Sequence, residues 1–213
     1  MTDKRSNPHS PTRKAQLEPL EQLATENEQL RAQICEQRNE IERLEKLADT
    51  DGLTGLANRR HFERTLQQRF SEQQRGGSSF CLMLIDIDAF KRVNDRLGHS
   101  AGDRLLKIIG RGITKNLRDC DLVFRVGGDE LAVLLPNSEL NQSILVANRL
   151  IDQLYELFED YRSHAAVGLS IGLATSKSKA TIIDLMESAD RAMYQAKSRG
   201  GNRCTTDMDT PQD

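Results

Sequence analysis

Phe80-Cys81-Leu82-Met83-Leu84-Ile85-Asp86-Ile87-Asp88 is an almost unbroken apolar run that closes on two carboxylates. Its length is that of a strand, and apolar side chains at odd and even positions alike describe a strand buried on both faces. Such a strand needs a layer on either side, and the flanking sequence supplies it. Upstream, RRHFERTLQQRFSEQQR (59–75) reads as a helix that stops at Gly76-Gly77-Ser78-Ser79. Downstream, SAGDRLLKIIGRGITKNL (100–117) has helical spacing at Leu105, Leu106, Ile109 and Ile113. DLVFRV (121–126) and ELAVLLP (130–136) are short strand-like runs parted by Gly127-Gly128-Asp129, a hairpin signal. LNQSILVANRLIDQLYELF (140–158) is helical, AAVGLSIGLAT (165–175) a strand, and IIDLMESADRAMYQAKS (182–198) a last amphipathic helix ended by Gly200-Gly201. Helices and strands interleave while the middle strands turn back on each other. The expected fold is α/β (α+β), a central mixed sheet flanked by helices.

The chain has 213 residues, enough for one domain plus an extension. Thirty Lys and Arg stand against 32 Asp and Glu, a net charge of -2. That balance argues against a general polyanion binder, and six Phe, three Tyr and no Trp argue against a base-stacking platform. Cys35, Cys81, Cys120 and Cys204 lie too far apart for a zinc knuckle or a disulfide framework, which fits a reducing compartment. No leader-like apolar stretch opens the chain and no run is long enough to span a membrane. A cytoplasmic protein is expected.

Residues 1–15 and 207–213 are polar and are expected to be disordered. Between the first tail and the globular domain at 50–206, residues 16–49 carry a heptad pattern. Leu20, Asn27, Ile34, Ile41 and Ala48 fall at a, and Leu23, Leu30, Gln37 and Leu44 at d. Ile at a with Leu at d favours a parallel dimer, and a lone Asn at a fixes register at some cost in stability. Asn27 and Gln37 make the predicted stalk weak on its own. Glu26 at g faces Arg31 at e of the partner, whereas Glu40 faces Glu45. The competing reading is a single amphipathic helix packed on its own domain.

Two motifs mislead. Gly168-Leu169-Ser170-Ile171-Gly172 matches the G-x-S-x-G nucleophile elbow, but Ser170 sits inside a strand and His9, His61, His99 and His164 all precede it. There is also no P-loop and no G-x-G-x-x-G, so a nucleotide would need another phosphate cradle. Carboxylates at strand ends are the better candidate. Asp86 and Asp88 point to one face by the period of two, and Asp129 and Glu130 sit in the following hairpin. If hairpin and strand are neighbours, they form a hard-oxygen cluster suited to Mg²⁺ with substrate phosphates. The alternative is that these acids merely follow strands into solvent. Lys91 and Arg92 lie a few residues on, as natural phosphate partners.

Gly127-Gly128-Asp129-Glu130-Leu131 resembles the signature of GGDEF-domain diguanylate cyclases. DGLTGLANRR (51–60), IDIDAFKRVND (85–95), GHSAGD (98–103), SIG (170–172) and ADRAMYQAK (189–197) resemble further blocks of that family, in its order. The resemblance implies a palm-like, nucleotidyl-cyclase-like sheet and a reaction that joins two GTP into cyclic di-GMP with release of two pyrophosphates. It implies Asp86, Asp129 and the Ile87 carbonyl as ligands of Mg²⁺ (Mn²⁺ as a substitute), and Asp129 as proton acceptor. Glu130 and Lys91 join Asp129 in the catalytic set, Lys91 as an electrostatic stabiliser. Asn94 and Asp103 match guanine-reading positions, His99 shares their loop, and Lys197 matches a phosphate contact. Backbone amides at Ala89 and Phe90 replace the missing P-loop. Arg118-Asp119-Cys120-Asp121 matches the R-x-x-D of an inhibitory product site, with Arg149 as a second arginine.

Three residues depart from the family pattern. Leu131 replaces Phe at a position expected to face the core, Ala89 stands where an aromatic is frequent, and Gly201 stands where an arginine is common. Arg199 or Arg203 is the expected substitute for that arginine. Because each domain holds one GTP, two must meet, so the stalk is expected to build a C₂ homodimer. With no sensory domain ahead of it, control is expected from a separate protein that grips the weak heptads. The rival reading is a catalytically weak or inactive receptor of cyclic di-GMP. A cyclase with a single-nucleotide product and a scaffold acting by its coiled coil alone explain the residues less well. A basic-zipper DNA binder is disfavoured because Pro8, Pro11 and Pro19 interrupt the segment ahead of the heptads.

Overall fold

The computed structural model describes residues 13–206 and Met208. It divides into a helical unit ending at Ala48 and a globular unit starting at Asp49. Helix α1 (Arg13–Asp49) begins inside the span expected to be disordered, so residues 13–15 are helical; residues 1–12, 207 and 209–213 lie outside the described set. Pro19 does not break α1, contrary to the expectation from sequence. It falls in the second turn, where its missing N–H forfeits one bond to the Ala15 carbonyl while the long helix beyond it propagates. At about 1.5 Å per residue α1 is roughly 55 Å long. Leu23, Leu30, Ile34 and Ile41 along its heptad seam are 50–56% exposed in the single chain, and Asn27 and Gln37 are exposed with them. Among the described residues, no helix is long and apolar enough to cross a membrane.

In the globular unit six strands pair in the order β1-β3-β4-β2-β5-β6. They are β1 (Ala57–Asn58), β2 (Phe80–Asp88), β3 (Leu122–Arg125), β4 (Glu130–Pro136), β5 (Gly168–Thr175) and β6 (Arg203–Thr206). β2 runs antiparallel to both β4 and β5, β3 antiparallel to β4, and the two edge strands pair in parallel. The mixed sheet is as expected. The period of two sorts the β2 side chains. Cys81, Met83, Ile85 and Ile87 pack with α4 (His99–Lys115) and α5 (Leu140–Leu157), whereas Phe80, Leu82 and Leu84 pack with α2 (Arg59–Gln74) and α7 (Ile182–Ser198). Asp86 and Asp88 extend the second set past the end of the core.

Two packing details carry residues to that end. Gly172 of β5 faces α7, where a Cβ would lie 2.1 Å from the Ala189 carbonyl oxygen. The missing side chain lets α7 lie flat on the sheet, and its last turn then brings Lys197 to the β2 terminus. Leu131 pairs with Ile85 and is 1% exposed, so the residue that departs from the signature does face the core.

Candidate active site

The hairpin between β3 and β4 is held from below. Val126 N and Gly127 N both donate to the Glu130 carbonyl, at 3.0 and 3.2 Å. Arg125 reaches under the turn: its Nε donates to the Gly127 carbonyl at 3.2 Å and its Nη2 to the Gly128 carbonyl at 2.8 Å. Its Nη1 binds both carboxylate oxygens of Asp51, at 3.1 and 3.2 Å. Asp51 is itself fixed by the Thr54 amide at 2.9 Å and the Thr54 hydroxyl at 2.6 Å. The DGLTGLANRR block thus anchors the arginine that shapes the signature turn, a relation the linear sequence did not disclose.

Burial pushes the Asp51 carboxyl up, but the Thr54 hydroxyl and amide and the Arg125 guanidinium outweigh it and hold it below the ordinary carboxylate range. A depressed carboxyl stabilises the fold above its unfolded value of about 3.9 and loses that contribution as pH falls through the lower folded value. Asp51→Asn should therefore cost about 1–2 kcal/mol at neutral pH, between the limits for exposed and buried pairs. Melting curves from pH 7 to pH 2 should show mutant and wild type converging at the acid end; a constant gap would refute this.

Asp86 stands at the end of β2, opposite Glu130 of β4 and Ser170 of β5. It is 8% exposed, and Lys197 Nζ lies 2.7 Å from its Oδ2. Burial pushes the Asp86 carboxyl up; Lys197 opposes this, and the nearby charges of Asp129 and Asp88 add to it. Asp129 therefore lies within electrostatic reach of Asp86, and its carboxylate has no side-chain partner among the described residues. Ile87 N donates to the Asp129 carbonyl at 3.3 Å. A strand residue sends its N–H and C=O from the same edge, so the Ile87 carbonyl faces the hairpin too.

Two carboxylates and a carbonyl are hard oxygen donors. Among the described residues no three His, Cys, Asp or Glu side chains cluster as a complete metal cage. That donor set fits Mg²⁺ or Mn²⁺, which take one or two carboxylates and complete their shell with substrate phosphates and water. One of those carboxylates, Asp86, is already paired with the Lys197 ammonium.

Asp88 has a different task. Ser170 Oγ donates to its Oδ1 at 2.6 Å and Asn202 N to its Oδ2 at 2.7 Å, tying β2 to β5 and to the turn after α7. Gly201 in that turn has φ +71°, and a Cβ there would lie 2.6 Å from Asp88 Oδ2. The position that departs from the family's arginine is thus a tight glycine turn packed on Asp88. Arg203, one expected substitute, directs its Nε back to the Gly201 carbonyl at 3.2 Å.

Beyond Asp88 the chain turns through Ala89, left-handed at φ 56°, into α3 (Phe90–Leu97). Asn94 packs beside Phe90 over Gly102, and its Oδ1 is buried with no hydrogen-bond partner. An orphaned buried acceptor costs about 1–3 kcal/mol, which a ligand N–H would recover. Lys91 in the first turn of α3, and His99 and Asp103 in the first two turns of α4, are exposed without side-chain partners among the described residues. Glu130 is exposed and lines an apolar cleft of about 510 Å³ between α2 and α7, with Arg59, Phe62, Leu66 and Met186 on its walls. Neither Asp86 nor Asp129 lines that cleft.

The R-x-x-D segment is a closed turn on the far end of α4. Arg118 N donates to Asp121 Oδ2 at 2.9 Å and Asp121 N to the Arg118 carbonyl at 3.0 Å. Arg149 of α5 donates to the Asn116 carbonyl at 2.8 Å, which brings the second arginine to the same corner.

The family described as diguanylate cyclase, GGDEF domain, matches residues 48–203. Diguanylate cyclase DgcP of Pseudomonas aeruginosa is 36% identical over 155 residues, 72% of this chain and 23% of that protein. The crystal structure of the coiled coil and GGDEF domain of DgcB from Caulobacter crescentus, in complex with c-di-GMP, covers 86% of this chain and 98% of that one, at 30% identity and a TM-score of 0.76. Diguanylate cyclase SiaD of Pseudomonas aeruginosa, solved in complex with its activator SiaC, covers 90% and 73% at 33% identity and a TM-score of 0.74. The chain spans between 23% and 50% of the length of the curated relatives DgcP, DgcC and DgcS. With the signature hairpin on a six-stranded mixed sheet and a match over most of its length, the chain belongs to the GGDEF-domain family of diguanylate cyclases.

Proposed function

We propose that the protein condenses two GTP molecules into cyclic di-GMP, releasing two pyrophosphates. The observation that carries this reading is Asp86 at the end of β2 paired with Lys197, with the Asp129 backbone held one residue along by the Ile87 N–H. The 3′-hydroxyl oxygen of one GTP bonds to the α-phosphorus of the other, the α–β phosphoanhydride breaks, and pyrophosphate leaves; the second bond forms by the same step in reverse roles. Asp86, Asp129 and the Ile87 carbonyl would hold Mg²⁺, and a metal ion there would supply Lewis acidity, lowering the pKa of the hydroxyl and neutralising charge on the phosphoryl group. Asp129, half-exposed and with no side-chain partner among the described residues, takes the hydroxyl proton. Lys91 and Lys197 hold phosphate oxygens, and the amides at Ala89 and Phe90 line the turn into α3. Asn94 offers its orphaned oxygen to a guanine N–H, with Asp103 and His99 alongside.

The remaining parts follow from the same reading. The exposed seam of α1 builds a parallel homodimer that presents two half-sites to each other, and a separate regulatory protein acts on that weak seam; the complex of SiaD with its activator supports control by a separate protein. The turn at Arg118 and Asp121, with Arg149, binds cyclic di-GMP and inhibits; the product-bound DgcB structure supports a product site in this family. Incubating the purified protein with GTP and Mg²⁺ and separating nucleotides by chromatography tests the proposal. Cyclic di-GMP with two pyrophosphates per product is the expected result. Tight binding of cyclic di-GMP without turnover would make the protein a receptor instead.

A further inference from the structure

Lys197 and Asp86 form a close ion pair at the end of β2, and its chemistry is unlike that of the neighbouring carboxylates. Asp88 is hydrogen-bonded by fixed neutral donors, the Ser170 hydroxyl and the Asn202 backbone amide. Asp129 is partly exposed, and its carboxylate has no side-chain partner among the described residues. Asp86 alone is both deeply buried and satisfied by a mobile charge, for Lys197 sits on the last turn of α7 with 39% of its side chain exposed. A buried carboxylate without a cation is costly, so whatever takes Lys197 away must leave another positive charge behind. An ammonium on a four-carbon stem is suited to such a swap, being a compact charge that can rotate out to a phosphate without backbone movement.

We propose that Lys197 is the resident cation of the metal-free site, and that Mg²⁺ enters only as a triphosphate draws the ammonium off Asp86. The exchange keeps Asp86 neutralised at every stage. It also orders loading, because a metal ion arriving without nucleotide meets a site already occupied by a positive charge. The inference rests on the metal assignment made for the proposed function and adds to it a role for Lys197 before substrate binds.

Water-proton relaxation enhancement by Mn²⁺, measured on the full chain, tests this without turnover. In the absence of nucleotide, Lys197→Gln should bind Mn²⁺ at least about tenfold more tightly than wild type, since a competing charge has gone from beside the carboxylate. Lys197→Arg, which keeps the charge, should bind as weakly as wild type. Adding 3′-deoxy-GTP, which cannot react further, should bring wild-type Mn²⁺ binding into the range of Lys197→Gln. Equal nucleotide-free affinities for wild type and Lys197→Gln would overturn the proposal, provided Asp129→Ala still weakens Mn²⁺ binding in the presence of 3′-deoxy-GTP. If Asp129→Ala leaves that binding unchanged, the metal assignment itself is wrong and the exchange falls with it.

Discussion

Asp129→Ala should reduce cyclic di-GMP formation by at least about 10³-fold while leaving the melting temperature nearly unchanged. The two halves of this expectation have separate causes. The carboxylate is a proposed metal donor and the proposed acceptor of the 3′-hydroxyl proton, and loss of a general base alone typically costs 10²–10⁴-fold. Its side chain is half-exposed and unpartnered among the described residues, so deleting it forfeits no packing and no hydrogen bond. Substitutions of that kind stay within about 0.5 kcal/mol of wild type. The hairpin is kept in shape by Arg125 and the Glu130 carbonyl, neither of which depends on the Asp129 side chain. Nucleotide chromatography and a thermal melt on the same preparation check both halves. Retained turnover would remove Asp129 from the chemistry, and a large drop in melting temperature would mean that the activity loss reports on folding.

How much of this was legible in the sequence depends on the range of the interaction. β2 was plain because a strand buried on both faces must be apolar throughout, and the structure gives it the same bounds, Phe80–Asp88. The hairpin was plain because Gly127-Gly128 separates two short apolar runs. β1, two residues long, and α3, eight residues of which only Val93 is buried, are too short to be read locally. The turn at Ala89 is harder still, since a left-handed alanine breaks the rule that such positions belong to glycine. In the site, the acids Asp86 and Asp129 were found by strand-end logic and by resemblance. The Arg125–Asp51 clamp and the Asp88 hub on Ser170 and Asn202 were not, because partners far apart in the chain meet only after the sheet is assembled. Asn94 was assigned by resemblance alone; its physical mark, a buried oxygen without a donor, exists only in three dimensions.

Leu30→Lys combined with Ile34→Lys should dissociate the proposed dimer and lower the specific activity by about 10²-fold at micromolar protein. Both residues are half-exposed in the single chain and occupy consecutive d and a positions, where a parallel partner would bury them. Two ammonium groups in that seam would face two more across it, and burying unpaired charge there is prohibitive. The catalytic domain carries none of this seam, so its melting transition should persist. The size of the activity loss follows from effective concentration: a short tether holds two domains at about millimolar levels, and without it encounter depends on bulk concentration. Activity per molecule should then rise steeply with protein concentration in the mutant and stay flat in a stalk-paired wild type. Conversely, Asn27→Leu replaces a polar a residue by an apolar one and should strengthen pairing, so that a wild type that is only partly dimeric gains activity at low concentration. Sedimentation equilibrium paired with the GTP assay across a hundredfold dilution separates the outcomes. A double mutant that sediments as a monomer yet keeps wild-type turnover at every dilution would show that the seam has no part in the chemistry, and that two half-sites meet by another surface.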